Sequence, residues 1–222
     1  MAVRQVMEGM IVGLGSGSTA ALAVEAIGRR VSEGLRIVGV PTSERTAAQA
    51  RALGIPLSTL DRHHRLDLTI DGADEVEIPG LHLIKGRGGA LLREKLVASA
   101  SARLVIIVDS TKVVPRLGVA DPVPVEVVPF GWQSTAERLE RLGAIPKLRL
   151  GSDSQAVLTD GGHYILDCDF GPIASVPELA EALDRVVGVV EHGLFVGLAS
   201  EVIVGGAEGA TVLRPPNQSH SK

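Results

Sequence analysis

The sequence predicts an α/β protein: a doubly wound, mainly parallel sheet joined to a second, smaller α+β unit. First, β-prone segments at 10–14, 35–40, 66–70, 81–84 and 103–108 alternate with helical segments at 18–33, 42–53 and 90–102, the rhythm of strands wound with helices. Second, the order changes from Pro122 to strand (123–128), helix (132–142), strand (146–150), strand (163–168), helix (176–186) and strand (189–194), as in a split βαβ unit. Third, only 2% of residues are aromatic although 45% are hydrophobic, so the core must rest on Val, Leu, Ile and Ala, as suits buried parallel strands. The stretch from Phe195 to Gly205 is apolar enough to return to the first sheet. This divides the chain into a Rossmann-like unit of 1–121 with 196–222 and a ferredoxin-like unit of 122–195. The tail from Pro215 to Lys222 is expected to fray.

The first strand, Met10-Ile11-Val12-Gly13-Leu14, runs into Gly15-Ser16-Gly17-Ser18-Thr19 and a helix with Ala23, Ile27 and Val31 spaced by four. Glycines permit close backbone approach, the first helical N–H groups lack internal partners, and three hydroxyls add donors, so this loop suits a phosphate. It is not a Walker loop, lacking Gly-Lys-Ser/Thr, nor a clear dinucleotide fingerprint, lacking a third glycine at the expected distance. Taken alone, a tight turn with Ser or Thr as N-cap explains it slightly better.

Leu66-Asp67-Leu68-Thr69-Ile70 reads as a strand that empties into Asp71-Gly72-Ala73-Asp74. A second apolar piece, Leu81-His82-Leu83-Ile84, leads to Lys85-Gly86-Arg87-Gly88-Gly89, after which Ala90 to Ala102 carries strong helix formers. Lys85 therefore stands at a strand end and Glu94 in the opening turns of a helix. Ligands of open parallel sheets collect beyond the carboxyl ends of the strands, where both aspartates and the lysine are expected. The helical neighbours of Glu94 are Ala90, Leu91, Val97 and Ala98, all apolar, whereas Glu25 has Arg29 four residues on as an ordinary surface pair. Arg93 and Lys95 can carry their charges to water on long stems, an escape the shorter glutamate largely lacks. Two readings stay equally open for Glu94: a protected base of raised pKa, or a carboxylate held by the helix macrodipole.

The net charge of −4 gives no footprint for nucleic acid. No run reaches the ~18 apolar residues of a membrane helix, and no secretory pattern opens the chain, so a cytoplasmic protein is expected. The single cysteine, Cys168, rules out an intrachain disulfide and reads as a small core residue in a strand. His63-His64 and the dispersed His82, His163, His192 and His220 show no zinc spacing and read as solvated loop residues. No metal is expected at Asp71 and Asp74, because hard cations recruit more oxygen ligands and Lys85 already supplies positive charge. Lys112, after Asp109-Ser110-Thr111, reads on its own as a surface lysine.

A phosphate cradle beside a carboxylate and an ammonium describes a sugar-phosphate enzyme. Gly15-Ser16-Gly17-Ser18-Thr19, Asp71-Gly72-Ala73-Asp74, Lys85-Gly86-Arg87-Gly88, Leu92-Arg93-Glu94-Lys95 and Asp109-Ser110-Thr111-Lys112 resemble, in order and approximate spacing, the successive signatures of the ribose-5-phosphate isomerase A family. Pro124 to Pro129, Thr159-Asp160-Gly161-Gly162 and Gly188 to Phe195 extend the likeness over nearly the whole chain. The resemblance implies an aldose–ketose isomerase of the non-oxidative pentose phosphate pathway, without metal or other cofactor, acting as a homodimer or homotetramer. It also implies Glu94 as the base between C2 and C1, Asp71 in ring opening, and Asp74 on sugar hydroxyls. Lys85 with the N–H groups of Gly86, Arg87 and Gly88 would stabilise the carbonyl oxygen, and Ser16, Gly17, Ser18 and Thr19 with Lys112 would hold the phosphate.

Three positions depart from the family pattern. Ser16 replaces the usual Thr, keeping the hydroxyl. Arg87 interrupts the glycines, and binding phosphate, facing solvent and reaching a neighbouring subunit all remain open for it. The family's longer leading helix, with a lysine near the phosphate, is only partly present in the nine residues before Met10. A sugar-phosphate sensor and a coenzyme A transferase relative are the rival readings. The first would need a DNA-binding part, absent before Met10, and the second fits the phosphate loop and Lys85 less well.

Overall fold

After a short 3-10 turn at Ala2–Gln5 the chain enters β1 (Ile11–Leu14), whose Val12 and Leu14 are buried. It then forms α1 (Ser18–Ser32). Ala20, Ala23, Val24 and Ile27 line one face of this helix at the spacing that seals a helix on a sheet. The computed structural model describes residues 1–207 and 209–216, and the expectations for the tail from residue 217 and for His220 lie outside them. Next come β2 (Val38–Pro41), α2 (Glu44–Ala52) and β3 (Leu68–Asp71). They are followed by β4 (Glu75–Glu77), β5 (Leu83–Ile84), α3 (Leu91–Ser99) and β6 (Leu104–Asp109). A 3-10 turn at Ser110–Lys112 leads to β7 (Val113–Val114).

The remaining elements are β8 (Val123–Val127), α4 (Trp132–Glu140), β9 (Ile145–Leu148), β10 (Tyr164–Asp169), α5 (Val176–Asp184) and β11 (Val189–His192). Then follow β12 (Leu194–Phe195), β13 (Glu201–Gly206) and β14 (Gly209–Leu213).

Six strands form the main sheet in the order β14-β13-β6-β3-β1-β2, parallel except where β14 closes one edge against β13. The chain steps from β1 outward to β2 and returns to the other side of β1 with β3, so the winding reverses between β1 and β3. That reversal opens a crevice at the carboxyl ends of both strands. A second sheet, β11-β8-β10-β9, is antiparallel throughout and has the strand order of a ferredoxin-like unit. Its core gathers Val125, Leu139, Leu166, Cys168 and Leu183. Cys168 is buried there, and burial pushes its thiol up to about 12, as befits an inert core residue.

The segment expected as a strand at 81–84 is shorter and does not join the main sheet. β5 pairs with β4 and β12 in a third sheet, β12-β5-β4-β7. The apolar alternation that announces a strand carries no label for its sheet, and a two-residue ladder goes wherever the turn before it points. Likewise the return to the main sheet begins at Glu201, because Leu194 and Phe195 are first spent on β5.

Candidate active site

Three ends of the parallel sheet and one loop of the third sheet meet around a cavity of about 290 Å³. Its walls are Ser16–Thr19 after β1, Gly72–Asp74 after β3, Lys112 after β6, Lys85–Gly88 after β5, and Glu94 on α3. A larger groove of about 800 Å³ runs along α2 and α3 between Pro41, Arg51, Leu60 and Leu96. It holds neither Lys85 nor Glu94, so size alone does not mark the chemistry.

At the centre Lys85 is buried, and its Nζ lies 3.1 Å from Asp71 Oδ2 and 3.4 Å from Glu94 Oε2 while donating to the Gly72 carbonyl at 2.6 Å. Its backbone is fixed by N–H donation to Gly193 O at 2.9 Å. Burial alone would lower this ammonium's pKa, but the carboxylates of Asp71 and Glu94 outweigh it and raise it. The ring of Phe195 lies beneath, with Lys85 Nζ 5.5 Å and Lys95 Nζ 5.2 Å from its centroid.

Glu94 is 5% exposed, and its Oε2 has no hydrogen-bond partner. Burial pushes its carboxyl up to about 8; Lys85 opposes the shift, and Asp71 and Asp74 add to it. Glu94 does lie in the first turn of α3, yet a macrodipole would lower its pKa. Burial prevails over the macrodipole at this carboxyl. Its neighbours fasten α3 on either side. Arg93 bonds Glu44 at 2.8 Å and lies 3.5 Å from Asp160, and Lys95 donates to Glu191 at 2.6 Å and to the His192 carbonyl at 2.7 Å.

The expectation that Lys95 carries its charge to water is therefore corrected: it is largely buried, and burial lowers its pKa against the pull of Glu191. His192 likewise departs from the solvated reading. It is buried, and burial followed by Lys95 pushes it down to about 4. Asp184, Glu191 and His192 form the one cluster of potential metal ligands among the described residues. The ammonium of Lys95 already sits against Glu191 there, supplying the charge a cation would bring.

Asp71 ends β3 behind the lysine rather than on the cavity wall. Its Oδ1 accepts from Ser16 N at 3.0 Å and Gly72 N at 2.7 Å, and Oδ2 faces Lys85. Burial raises its pKa against those three donors. Asp74, by contrast, faces the cavity, its Oδ2 accepting from Arg87 N at 2.9 Å.

The β1–α1 loop differs in detail from its sequence reading. The N-cap of α1 is Gly17, not Ser or Thr, and no side chain caps the helix, so its first N–H groups remain available for an anion. The Ser16 hydroxyl turns inward to Thr42 at 2.6 Å and Ser43 at 3.0 Å, which leaves Ser18 and Thr19 to present theirs at the cavity. The Arg87 side chain is 67% exposed and pairs with Asp121 at 3.3 Å, and the residue also lines the cavity. Lys112 lines the cavity and is no plain surface lysine.

Several supporting residues gave no signal in sequence. Buried Glu75 accepts from the N–H groups of Gly118, Ala120 and Asp121 at 2.6, 2.7 and 2.8 Å, ordering the loop that meets Arg87. Its only mark was a carboxylate beside the apolar Val76. Arg149, just past β9, and Asp167 on β10 read in sequence like any solvated pair.

The family model for ribose 5-phosphate isomerase A (phosphoriboisomerase A) matches residues 38–209. The ribose-5-phosphate isomerase A of Gloeobacter violaceus is 64% identical over 214 residues, spanning 96% of this chain and 93% of the relative. The solved ribose 5-phosphate isomerase A of Methanocaldococcus jannaschii superposes with a TM-score of 0.92 at 40% identity, covering 96% of this chain and 94% of that one. A D-ribose-5-phosphate isomerase in complex with phospho-erythronic acid gives 0.93 at 38% identity with the same coverages. No helix among the described residues is long and apolar enough to cross a membrane. The chain belongs to the ribose 5-phosphate isomerase A family.

Proposed function

We propose a division of labour within this cavity for the interconversion of D-ribose 5-phosphate and D-ribulose 5-phosphate. The chain is an aldose–ketose isomerase of the pentose phosphate pathway. The phosphate rests on the uncapped start of α1, held by Gly17, Ser18 and Thr19 with Lys112, and anchors the sugar far from the reacting carbons. Ser16 keeps the loop in shape. Glu94 removes the C2 proton, the freed pair forms the C1=C2 bond, and negative charge collects on O1. Lys85 and the adjoining backbone N–H groups stabilise that charge. Glu94 returns its proton to C1 while the hydroxyl proton passes from O2 to O1, leaving the ketone at C2. Asp74 receives sugar hydroxyls beside Gly72 and Ala73. Asp71 serves ring opening through Lys85, whose ammonium it holds.

The observation that carries this reading is the buried Oε2 of Glu94, without a hydrogen bond and paired only by charge with the Lys85 ammonium 3.4 Å away on the wall of the cavity. Glu94→Gln should retain inhibition by inorganic phosphate while turnover of ribose 5-phosphate falls at least about 100-fold. Full turnover in that variant would exclude Glu94 as the base. Lys85→Ala should lose turnover at least as far as substrate affinity, and a change confined to KM would remove its charge-stabilising role.

The same reading assigns catalysis to the unit of 1–121 with 196–222, residence to the cytoplasm, and the working form to a homodimer or homotetramer. Exposed Val128, Phe130 and Val187 support association through the unit of 122–195; Val128 N bonds the Gly188 carbonyl, which draws the three toward one end.

A further inference from the structure

The Lys85–Gly89 loop contains two residues with φ in the left-handed region, Gly86 at 108° and Gly89 at 80°. Such a loop can rotate its peptide planes unless they are fixed. One tie is internal, Gly89 N–H donating to the Gly86 carbonyl at 3.0 Å, and a second comes from the other unit. Arg149, just past β9, donates through Nη1 to the carbonyls of Gly86 at 2.8 Å and Arg87 at 3.1 Å. Its remaining fork is occupied by Asp167 on β10, with Nε to Oδ2 at 2.9 Å and Nη2 to Oδ1. The Arg149 backbone is itself tied by its N–H to Ile165 O at 2.9 Å.

In a trans peptide the carbonyl and the N–H that follows it point to opposite sides. Turning Gly86 C=O toward Arg149 therefore turns Arg87 N–H away from it, and that N–H donates to Asp74 at 2.9 Å. Turning Arg87 C=O toward Arg149 does the same for Gly88 N–H, at a residue that lines the cavity. We propose that Arg149 is a positioning residue for the isomerisation: held by Asp167, it sets two successive peptide planes so that their N–H groups, not their carbonyls, face Asp74 and the sugar. A reversed plane would present a carbonyl oxygen to a developing oxyanion, replacing attraction with repulsion.

This inference rests on the assignment of the Lys85 loop as the group that stabilises the enediolate. Arg149→Met should lower kcat about 100-fold, as a displacement of about 1 Å in a catalytic group can. Inhibition by phospho-erythronic acid, whose carboxylate would meet the same donors on this reading, should weaken by a similar factor, while inhibition by inorganic phosphate stays unchanged. Arg149→Lys can keep the ion pair with Asp167 but cannot also serve two carbonyls, so it should recover thermal stability without recovering kcat. Full kcat in Arg149→Lys, or kcat within about threefold of the parent in Arg149→Met, would overturn the proposal, since a real positioning role is worth at least 10-fold. Equal weakening toward inorganic phosphate would also overturn it by showing a general collapse. Lys85→Ala measured alongside separates the two levels. Normal turnover there sinks the reading of the loop, whereas an inactive Lys85→Ala beside a fully active Arg149→Met sinks only the role of Arg149.

Discussion

Two buried carboxylates, Asp71 and Glu94, share one buried ammonium, so one of them holds a proton more readily than it would in water. With the Glu94 carboxyl pushed up to about 8, kcat/KM should rise with pH through the neutral range and level off above about 8, since only the ionised form accepts a proton. A flat profile between pH 6 and 9 would contradict this. The stability sign runs the other way. A carboxyl whose pKa is higher folded than unfolded binds more protons in the native state between its ordinary value and about 8, so stability falls as pH rises across that window. Glu94→Gln should therefore melt higher than the parent at pH 8.5, with the gain shrinking toward pH 5 in thermal scans. Glu94 was legible in sequence because every helical neighbour is apolar, and that pattern is a direct statement about burial. Lys95 was misread because its partner Glu191 lies 96 positions away in sequence, and His192 because the Lys95 that packs against it is equally remote.

Among the elements, β1 and β3 approach so closely that side chains have no room between them. A Cβ on Gly15 would lie 2.2 Å from Asp71 Oδ1 and 2.6 Å from its Cα. Gly15→Ala must push the end of β3 aside, at a cost of about 1–3 kcal/mol, and should reduce turnover because Asp71 no longer holds Lys85 in register. Urea unfolding with parallel kinetics would check both effects, and unchanged turnover would separate Asp71 from the chemistry. The sequence left this turn open as a phosphate loop or a tight turn capped by Ser or Thr, and the cap is Gly17. Ser16 was expected to offer its hydroxyl outward, and it instead joins Thr42, Ser43 and Thr46 inside. Hydroxyl residues satisfy buried and ligand-facing roles equally well, so the pattern of residue types does not choose between them. The helices and most strands were readable because periodicity reports burial, whereas β5 was assigned to the wrong sheet because pairing is decided by turns.

For the whole molecule, the expected assembly is open to direct measurement. Sedimentation equilibrium at micromolar concentration should give a mass of two or four times 23.1 kDa, and a persistent single-chain mass would remove the oligomer proposal. Within one chain the two units are already bound across the site. Asp160 accepts from the first N–H of α2 at 2.9 Å and faces Arg93, while Lys95 reaches the end of β11. These ties were invisible in sequence, since nothing local marks Asp160 or Glu191 as partners of a helix sixty or more positions earlier.

Phe195 extends that dependence to a residue with no charge at all. Its ring offers one electron-rich surface to Lys85 and another contact to Lys95, so two cations draw on a single quadrupole. An aliphatic replacement of similar bulk would fill the interior yet leave both ammonium groups facing bare hydrocarbon, without the attraction of the ring face.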